Sequence, residues 1–277
     1  MRGLMLLSAF GVLSSLAASA GAQDTDQNRQ ACNGSEPAYS LTQQVAGCTA
    51  VINAGTATTT DLAGVFYNRG VAYQDQKQYA RAIADFGQAI RLKPDYADAF
   101  YNRGIAYQGQ NQYARAIADY DEAIRLKPDD ASAFSNRGLA YKEQKQYARA
   151  IADYDQAIRL KPDLAVAFLN RGNAYRSLQQ YERAIADYDQ AIRLKPDYAL
   201  AFDNRGIAYF LQGKYSRAIA DYDQALRLDG NRPDYYYDRG VAELRLGLSA
   251  KGHADIARAI KANPNVAAEE AEYGVKP

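Results

Sequence analysis

The chain has 277 residues, 48% of them hydrophobic, with 33 basic and 32 acidic side chains and a formal net charge of +1. That hydrophobic content is enough for a packed core and excludes a globally disordered chain. The near-zero charge argues against nucleic acid and against an anionic membrane surface as partners, since both select a basic excess.

Residues 1–22, MRGLMLLSAFGVLSSLAASAGA, read as a secretory signal peptide. Arg2 forms the positive end, Leu4 to Leu16 the apolar stretch, and small residues close it, with cleavage after Ala20 or after Ala22. A retained anchor is the weaker reading, because the apolar run is short and broken by Gly and Ser. Cleavage removes Arg2 and no acid, leaving 32 basic and 32 acidic residues and no segment for stable membrane insertion. The chain is expected to be exported, to the periplasm first and the extracellular space second.

Cys32 and Cys48 follow in the segment 23–62. An even pair in an exported chain most simply forms a disulfide, and the spacing is too wide for a Cys-x-x-Cys redox motif. Closing a loop of this size stabilises by about 3 kcal/mol in the chain-entropy picture. The stretch PAYSLTQQVAGCTAVIN (37–53) puts Leu41, Val45, Cys48 and Ile52 on one helical face and reads as an N-terminal capping helix. NAGTATTTD (53–61) reads as a linker, with its threonine run as a hinge.

From residue 63 the chain repeats itself with a period of 34 and no insertion or deletion. The units are 63–96, 97–130, 131–164, 165–198, 199–232 and 233–266. Positions 4, 8 and 11 hold an aromatic, a glycine and usually Tyr; in the first unit these are Phe66, Gly70 and Tyr73. Positions 20, 24 and 27 form a second stripe, Ala82, Phe86 and Ala89. Two stripes at helical spacing around a short polar stretch predict an antiparallel helix pair, A then B. A Pro-Asp step, such as Pro94-Asp95, ends helix B and offers its aspartate as a cap for the next helix A. The glycine at position 8 costs about 1 kcal/mol in a helix interior. Its recurrence predicts a close approach of helix B, with the small Ala82, Ala116, Ala150, Ala184 and Ala218 expected against the gap.

The sequence aromatic-x-x-x-Gly-x-x-Tyr, then Ala-x-x-x-aromatic-x-x-Ala and a closing Pro, resembles the tetratricopeptide repeat (TPR) family. The first four units match the pattern fully, and the array covers 204 of the 277 residues. The resemblance, to a secreted or periplasmic bacterial type, implies an all-α fold: an α-solenoid of six helix-turn-helix repeats whose A helices line one long concave groove. The fifth unit has Gly230 where the proline belongs, and the sixth has Glu243 for Tyr and Gly252 for the small Ala. The sixth therefore reads as a terminal repeat, and residues 267–277 as a tail or partial cap.

Catalysis finds little support. His253 is the single histidine, no nucleophilic constellation or phosphate loop is present, and no cofactor is implied. The Asp-Tyr-Asp triplets at 119–121, 153–155, 187–189 and 221–223 suggest a metal, but carboxylates at i and i+2 diverge on a helix. The chain is read as a non-enzyme without a metal site.

Every unit pairs an Arg at position 7 with an Asp at position 23: Arg69 with Asp85, Arg103 with Asp119, Arg137 with Asp153, Arg171 with Asp187, Arg205 with Asp221, and Arg239 with Asp255. These are expected as partly buried structural ion pairs, ahead of a ladder for acidic ligands. Position 6 carries a column of amides, Asn68, Asn102, Asn136, Asn170 and Asn204, able to donate to and accept from an extended backbone. The TPR resemblance implies such an asparagine ladder for some members; an equal reading is a family preference without a binding role. Tyr67, Tyr101, Lys142, Arg176 and Phe210 flank the column as a specificity surface. Tyr67 and Val71 stand where carboxylate-clamp members place Lys and Asn, which disfavours chaperone tails.

The function expected is an exported scaffold that binds an extended peptide or partner protein in the concave groove. A structural part of a cell-envelope assembly, working through its convex face or ends, is the alternative; an enzyme subunit comes third.

Overall fold

The computed structural model describes residues 26–34 and 39–276. The expected leader over residues 1–22 lies outside them. The described residues contain helices and no strand, and no described helix is long and apolar enough to cross a membrane. The chain divides into two compact units, Met1–Pro128 and Asp129–Pro277.

In the first unit a helical segment at 26–33 (α1) precedes α2 (Leu41–Ala54), α3 (Thr59–Asp75), α4 (Tyr79–Leu92), α5 (Ala97–Gly109) and α6 (Tyr113–Leu126). Cys32 and Cys48 are joined by a disulfide that ties α1 to α2. A reciprocal capping box fixes the start of α2: the Ser40 hydroxyl accepts the Gln43 N–H, and the Gln43 side chain accepts the Ser40 N–H. The buried side of α2 is Gly47, Cys48 and Val51, not the expected Leu41–Val45–Cys48–Ile52 stripe. The reason is α1, which lies so close that a Cβ on Gly47 would fall 2.7 Å from the Asn28 carbonyl.

The threonine run is not a hinge. Thr58 caps α3 by accepting the Asp61 N–H at 3.2 Å, so Thr59 and Thr60 are already helical and the link shrinks to 55–58. The helix pairs α3/α4 and α5/α6 are the first two repeats, each antiparallel pair packing most extensively within itself.

The second unit holds α7 (Ala131–Glu143), α8 (Tyr147–Leu160), α9 (Ala165–Ser177), α10 (Tyr181–Leu194), α11 (Ala199–Leu211), α12 (Tyr215–Leu228), α13 (Pro233–Arg245) and α14 (Ser249–Ala262) as four further pairs. A short helix, α15 (Val266–Glu272), packs on α13 and α14 where a seventh A helix would begin. Val266 and Val275 are fully buried there, in one cluster with Phe210, Tyr237 and Val241.

The turn from A to B has one construction throughout. Its next-to-last residue before helix B adopts a left-handed conformation: Lys77, Asn111, Lys145 and Gln179 at φ 57 to 59°, then Gly213 at 73° and Gly247 at 84°. The next N–H reaches back five residues, as in Gln78 N–H to the Tyr73 carbonyl at 2.8 Å, which satisfies the end of helix A.

Two sequence expectations change here. The aspartate of the Pro-Asp step does not cap helix A at α5, α9 or α11, because the N-cap falls one residue later, on Tyr96, Leu164 and Tyr198. Of the A helices that follow a Pro-Asp step, only α7 has a side-chain cap, since Asp130 occupies that later position and accepts from Ser132 and Ala133. The gap at the position-8 glycine is filled by the aromatic ring of position 24, not by the alanine of position 20. Phe86 lies over Gly70, Tyr120 over Gly104, Tyr154 over Gly138, Tyr188 over Gly172 and Tyr222 over Gly206. In the last pair, where Ile256 replaces the ring, Gly240 and Gly252 let the two backbones meet.

Candidate functional site

The Arg–Asp pairs are two-pronged. Arg69 donates to Asp85 at 2.7 and 2.8 Å, Arg103 to Asp119 at 2.7 and 2.8 Å, and Arg137 to Asp153 at 2.7 and 2.8 Å. Arg171 holds Asp187, Arg205 holds Asp221 and Arg239 holds Asp255 in the same way. In the second unit the remaining Nη1 donates to the second aspartate of the preceding Asp-Tyr-Asp triplet. Arg171 reaches Asp155 at 2.6 Å, Arg205 reaches Asp189 at 2.5 Å, and Arg239 reaches Asp223 at 2.7 Å. The diverging carboxylates of one triplet thus serve two successive arginines, with the tyrosine between them against the glycine. In the first unit Gly87 stands at this position, and Arg69 instead donates to Thr49 on α2 at 3.0 Å.

Burial pulls the partners in opposite senses. It raises Asp119, Asp187 and Asp221 above the usual carboxylate range, while their arginines pull them down. Arg171 is held above its ordinary value first by its bond to Asp187. These arginines are committed to the fold, so a ladder for acidic ligands is not available from them. Among the described residues no three His, Cys, Asp or Glu groups converge to hold a metal. His253 makes a 2.8 Å contact with the Ser249 carbonyl in its own helix.

The amide column is used unevenly. Asn68 donates to the Asn33 side chain at 3.1 Å. Asn102 donates to the Tyr67 hydroxyl at 2.9 Å and to the Asp98 carbonyl at 3.0 Å. Tyr67 in turn packs on Phe86 and Tyr96, and Tyr101 on Tyr120. Asn136 and Asn170 are half-buried on α7 and α9. Asn204 is buried and donates to Leu200 in its own helix at 2.8 Å. Phe210, expected on the specificity surface, is a core residue. Its ring packs on Tyr215, and the C-terminal segment completes the cluster around it.

One open cavity of about 1150 Å³ lies in the second unit, on the side presented by its A helices. Lys142, Arg176 and Asn204 line it, with α15 and Tyr273 as the facing wall. Arg176 lies over the Tyr273 ring at 5.2 Å, so the tail reaches back to the fourth repeat. Three carboxyls cluster here that the sequence reading did not single out: Asp203 (5% exposed), Asp238 (0%) and Glu270 (6%). Asp203 Oδ1 and both Asp238 oxygens have no hydrogen-bond donor, and the Glu270 carboxyl faces Asp238. Burial raises all three, Glu270 to about 7; Asp234 pushes each further up and Glu270 pushes up Asp203 and Asp238, while Arg176 pulls all three down and the contact with Asp238 lowers Glu270. The available signal was a break in the repeat: acids at position 5 of the fifth unit and position 6 of the sixth, where the others carry uncharged residues.

Family models of the TPR repeat match residues 70–111, 109–145, 172–213 and 208–247, and the tetratricopeptide repeat model matches 131–164. The chain belongs to the tetratricopeptide repeat family. Its fold is the all-α TPR fold, and TPR architecture makes it a protein-interaction scaffold. The fold is similar to that of a tetratricopeptide repeat protein from Parabacteroides merdae ATCC 43184, at 19% identity and TM-score 0.71, covering 87% of this chain and 94% of that one. It is also similar to PilW, a widely conserved type IV pilus biogenesis factor, at 21% identity and TM-score 0.67 over 73% and 93% of the two chains. YrrB, a TPR protein with an unusual peptide-binding site, matches at 23% identity and TM-score 0.53 over 65% and 93%. At these identities the TPR likeness concerns fold alone. No curated protein matches the sequence.

Proposed function

We propose that this TPR protein is an exported, non-catalytic scaffold that binds an extended peptide segment of a partner protein along the A-helix face of its repeats. One observation carries the reading: the cavity of about 1150 Å³ opens on that face and is lined by side chains of α7, α9, α11 and α13. A cleft of this size with convergent amides and charges is the usual form of a binding site. The Cys32–Cys48 disulfide supports an oxidising compartment, as does the leader-like sequence of residues 1–22. Lys142 and Arg176 are basic side chains of the cavity lining, while Asn68, Asn102, Asn136 and Asn170 are candidates for backbone recognition elsewhere on the face.

The test is a pull-down from envelope extract with residues 23–277, beside a variant carrying Lys142→Ala and Arg176→Ala, with folding checked by circular dichroism. A partner held by the first and lost by the second supports recognition in the cavity. A partner held equally by both moves the working surface to the convex face or the ends, as a structural part of an envelope assembly would use.

A further inference from the structure

The cavity wall is not electrically balanced. Two of its bases are paired, Lys142 with Glu143 at 2.9 Å and Arg232 with Asp234 at 2.5 Å; the Arg176 guanidinium rests on Tyr273 with its buried Nη1 meeting no acceptor, and Lys145 also lines the wall. Three acids are in no such pair. Asp203 lines the cavity with one carboxylate oxygen buried and unpartnered, and Asp238 and Glu270 stand next to it with only each other. Of the nearby bases, Arg176 offsets all three carboxyls and Arg232 also bears on Asp203.

Buried carboxyls in such number are costly unless each is protonated or meets a cation. We propose that the cavity binds the ammonium or guanidinium end of a basic peptide side chain, with Asp203 as the direct contact and Glu270 and Asp238 as supporting charge. The reading rests on the peptide-binding function above and names the chemistry of the partner residue. Leu200, Ile207 and Pro233 supply apolar wall for the methylene stem, and Tyr273 closes one side. A divalent metal is a poorer fit, because these carboxyls do not converge as ligands. A hydrogen-bonded organic cation needs no such convergence.

Nα-acetyl-lysine methylamide and Nα-acetyl-arginine methylamide are added to residues 23–277 at pH 7.5 and low salt, followed by NMR. The uncharged Nα-acetyl-norleucine methylamide is the shape control. The expected result is saturable shifts in the fifth and sixth repeats, at least tenfold tighter for the lysine or arginine probe than for norleucine. Asp203→Asn, which keeps shape and removes the carboxyl that would meet the cation, is expected to abolish that preference. Glu270→Gln is the second variant and is expected to weaken it several-fold. Equal response to charged and uncharged probes, no response to any, or an undiminished preference in Asp203→Asn overturns the cation site. Those outcomes leave the peptide-binding reading standing, since it is decided by the pull-down.

Discussion

The ring of Tyr188 occupies the space that a side chain on Gly172 would need: a Cβ built there falls 2.6 Å from Tyr188 Cε1. Tyr188 is fully buried, so the ring has nowhere to move. The same relation joins Gly104 to Tyr120 at 2.7 Å and Gly206 to Tyr222 at 2.7 Å. The locally unfavourable glycine is therefore the condition for a large aromatic in the core of each pair. Gly172→Ala is expected to destabilise by roughly 1–3 kcal/mol through overpacking, despite the better helix propensity of alanine. Gly87→Ala, where the nearest neighbour of the new Cβ is Arg103 Nη1 at 3.7 Å, is expected to stabilise by about 1 kcal/mol. Urea unfolding of the two variants checks the opposite signs.

Gly87 also marks the missing step of the arginine relay. Asp155, Asp189 and Asp223 receive the spare Nη1 of the following arginine in the second unit, and Gly87 holds the equivalent position ahead of Arg103. Gly87→Asp is expected to exceed Gly87→Ala in stability by about 0.3–1 kcal/mol at low salt. The excess should shrink in 1 M NaCl, as screening removes a half-exposed pair. An Asp variant no better than the Ala variant would show that the relay adds nothing to the fold.

The left-handed turn residue differs between repeats in a way that predicts sign. Gln179 adopts φ 58° with a side chain, whereas Gly213 adopts 73° without one. A non-glycine residue in this region is strained by roughly 1 kcal/mol. Gln179→Gly is expected to stabilise and Gly213→Gln to destabilise, each by up to about 1 kcal/mol; thermal unfolding of both variants decides it.

Glu270 makes stability depend on pH in the direction opposite to ordinary acid unfolding. Burial raises its carboxyl from the usual 4.5 to about 7, and Asp203 and Asp238 move the same way. A carboxyl that keeps its proton more firmly when folded contributes stability that is complete below about 4.5 and lost as pH rises through about 7. Arg176 opposes the trend, while Asp234 and Glu269 reinforce it. The urea midpoint is expected to fall between pH 5 and pH 8, and Glu270→Gln should flatten that fall. A midpoint that climbs over this range in the parent chain would contradict the assignment.

The repeat period, the helix pairs and the partners of the six arginines were all legible in the sequence, because a 34-residue pattern copied in phase reports its own contacts. Position 7 and position 23 recur together, so the pairing of Arg171 with Asp187 could be read without coordinates. What filled the glycine gap could not, since ring and alanine lie one turn apart on the same stripe, and only the interhelical distance selects Tyr188 over Ala184. The caps shifted for a similar reason: helix A starts after Tyr96 or Leu164, one residue past the aspartate. The threonine run likewise gave way to Thr58 capping its own helix.

The site was the least legible part. Phe210 and Asn204 share the groove-facing positions of helix A, and an array alone would leave them open. Residues 266–276 decide otherwise, by burying Val266 and Val275 against Phe210 and bringing Tyr273 over Arg176. Asp203 and Asp238 are single departures from a repeat, and Glu270 lies outside it, so no period links them. The sequence alone determined the architecture, because local periodicity fixes which faces are apolar and which charges recur. Only the tertiary structure decided where unneutralised charge collects, because that depends on a non-repeating tail folding back onto repeats it does not resemble.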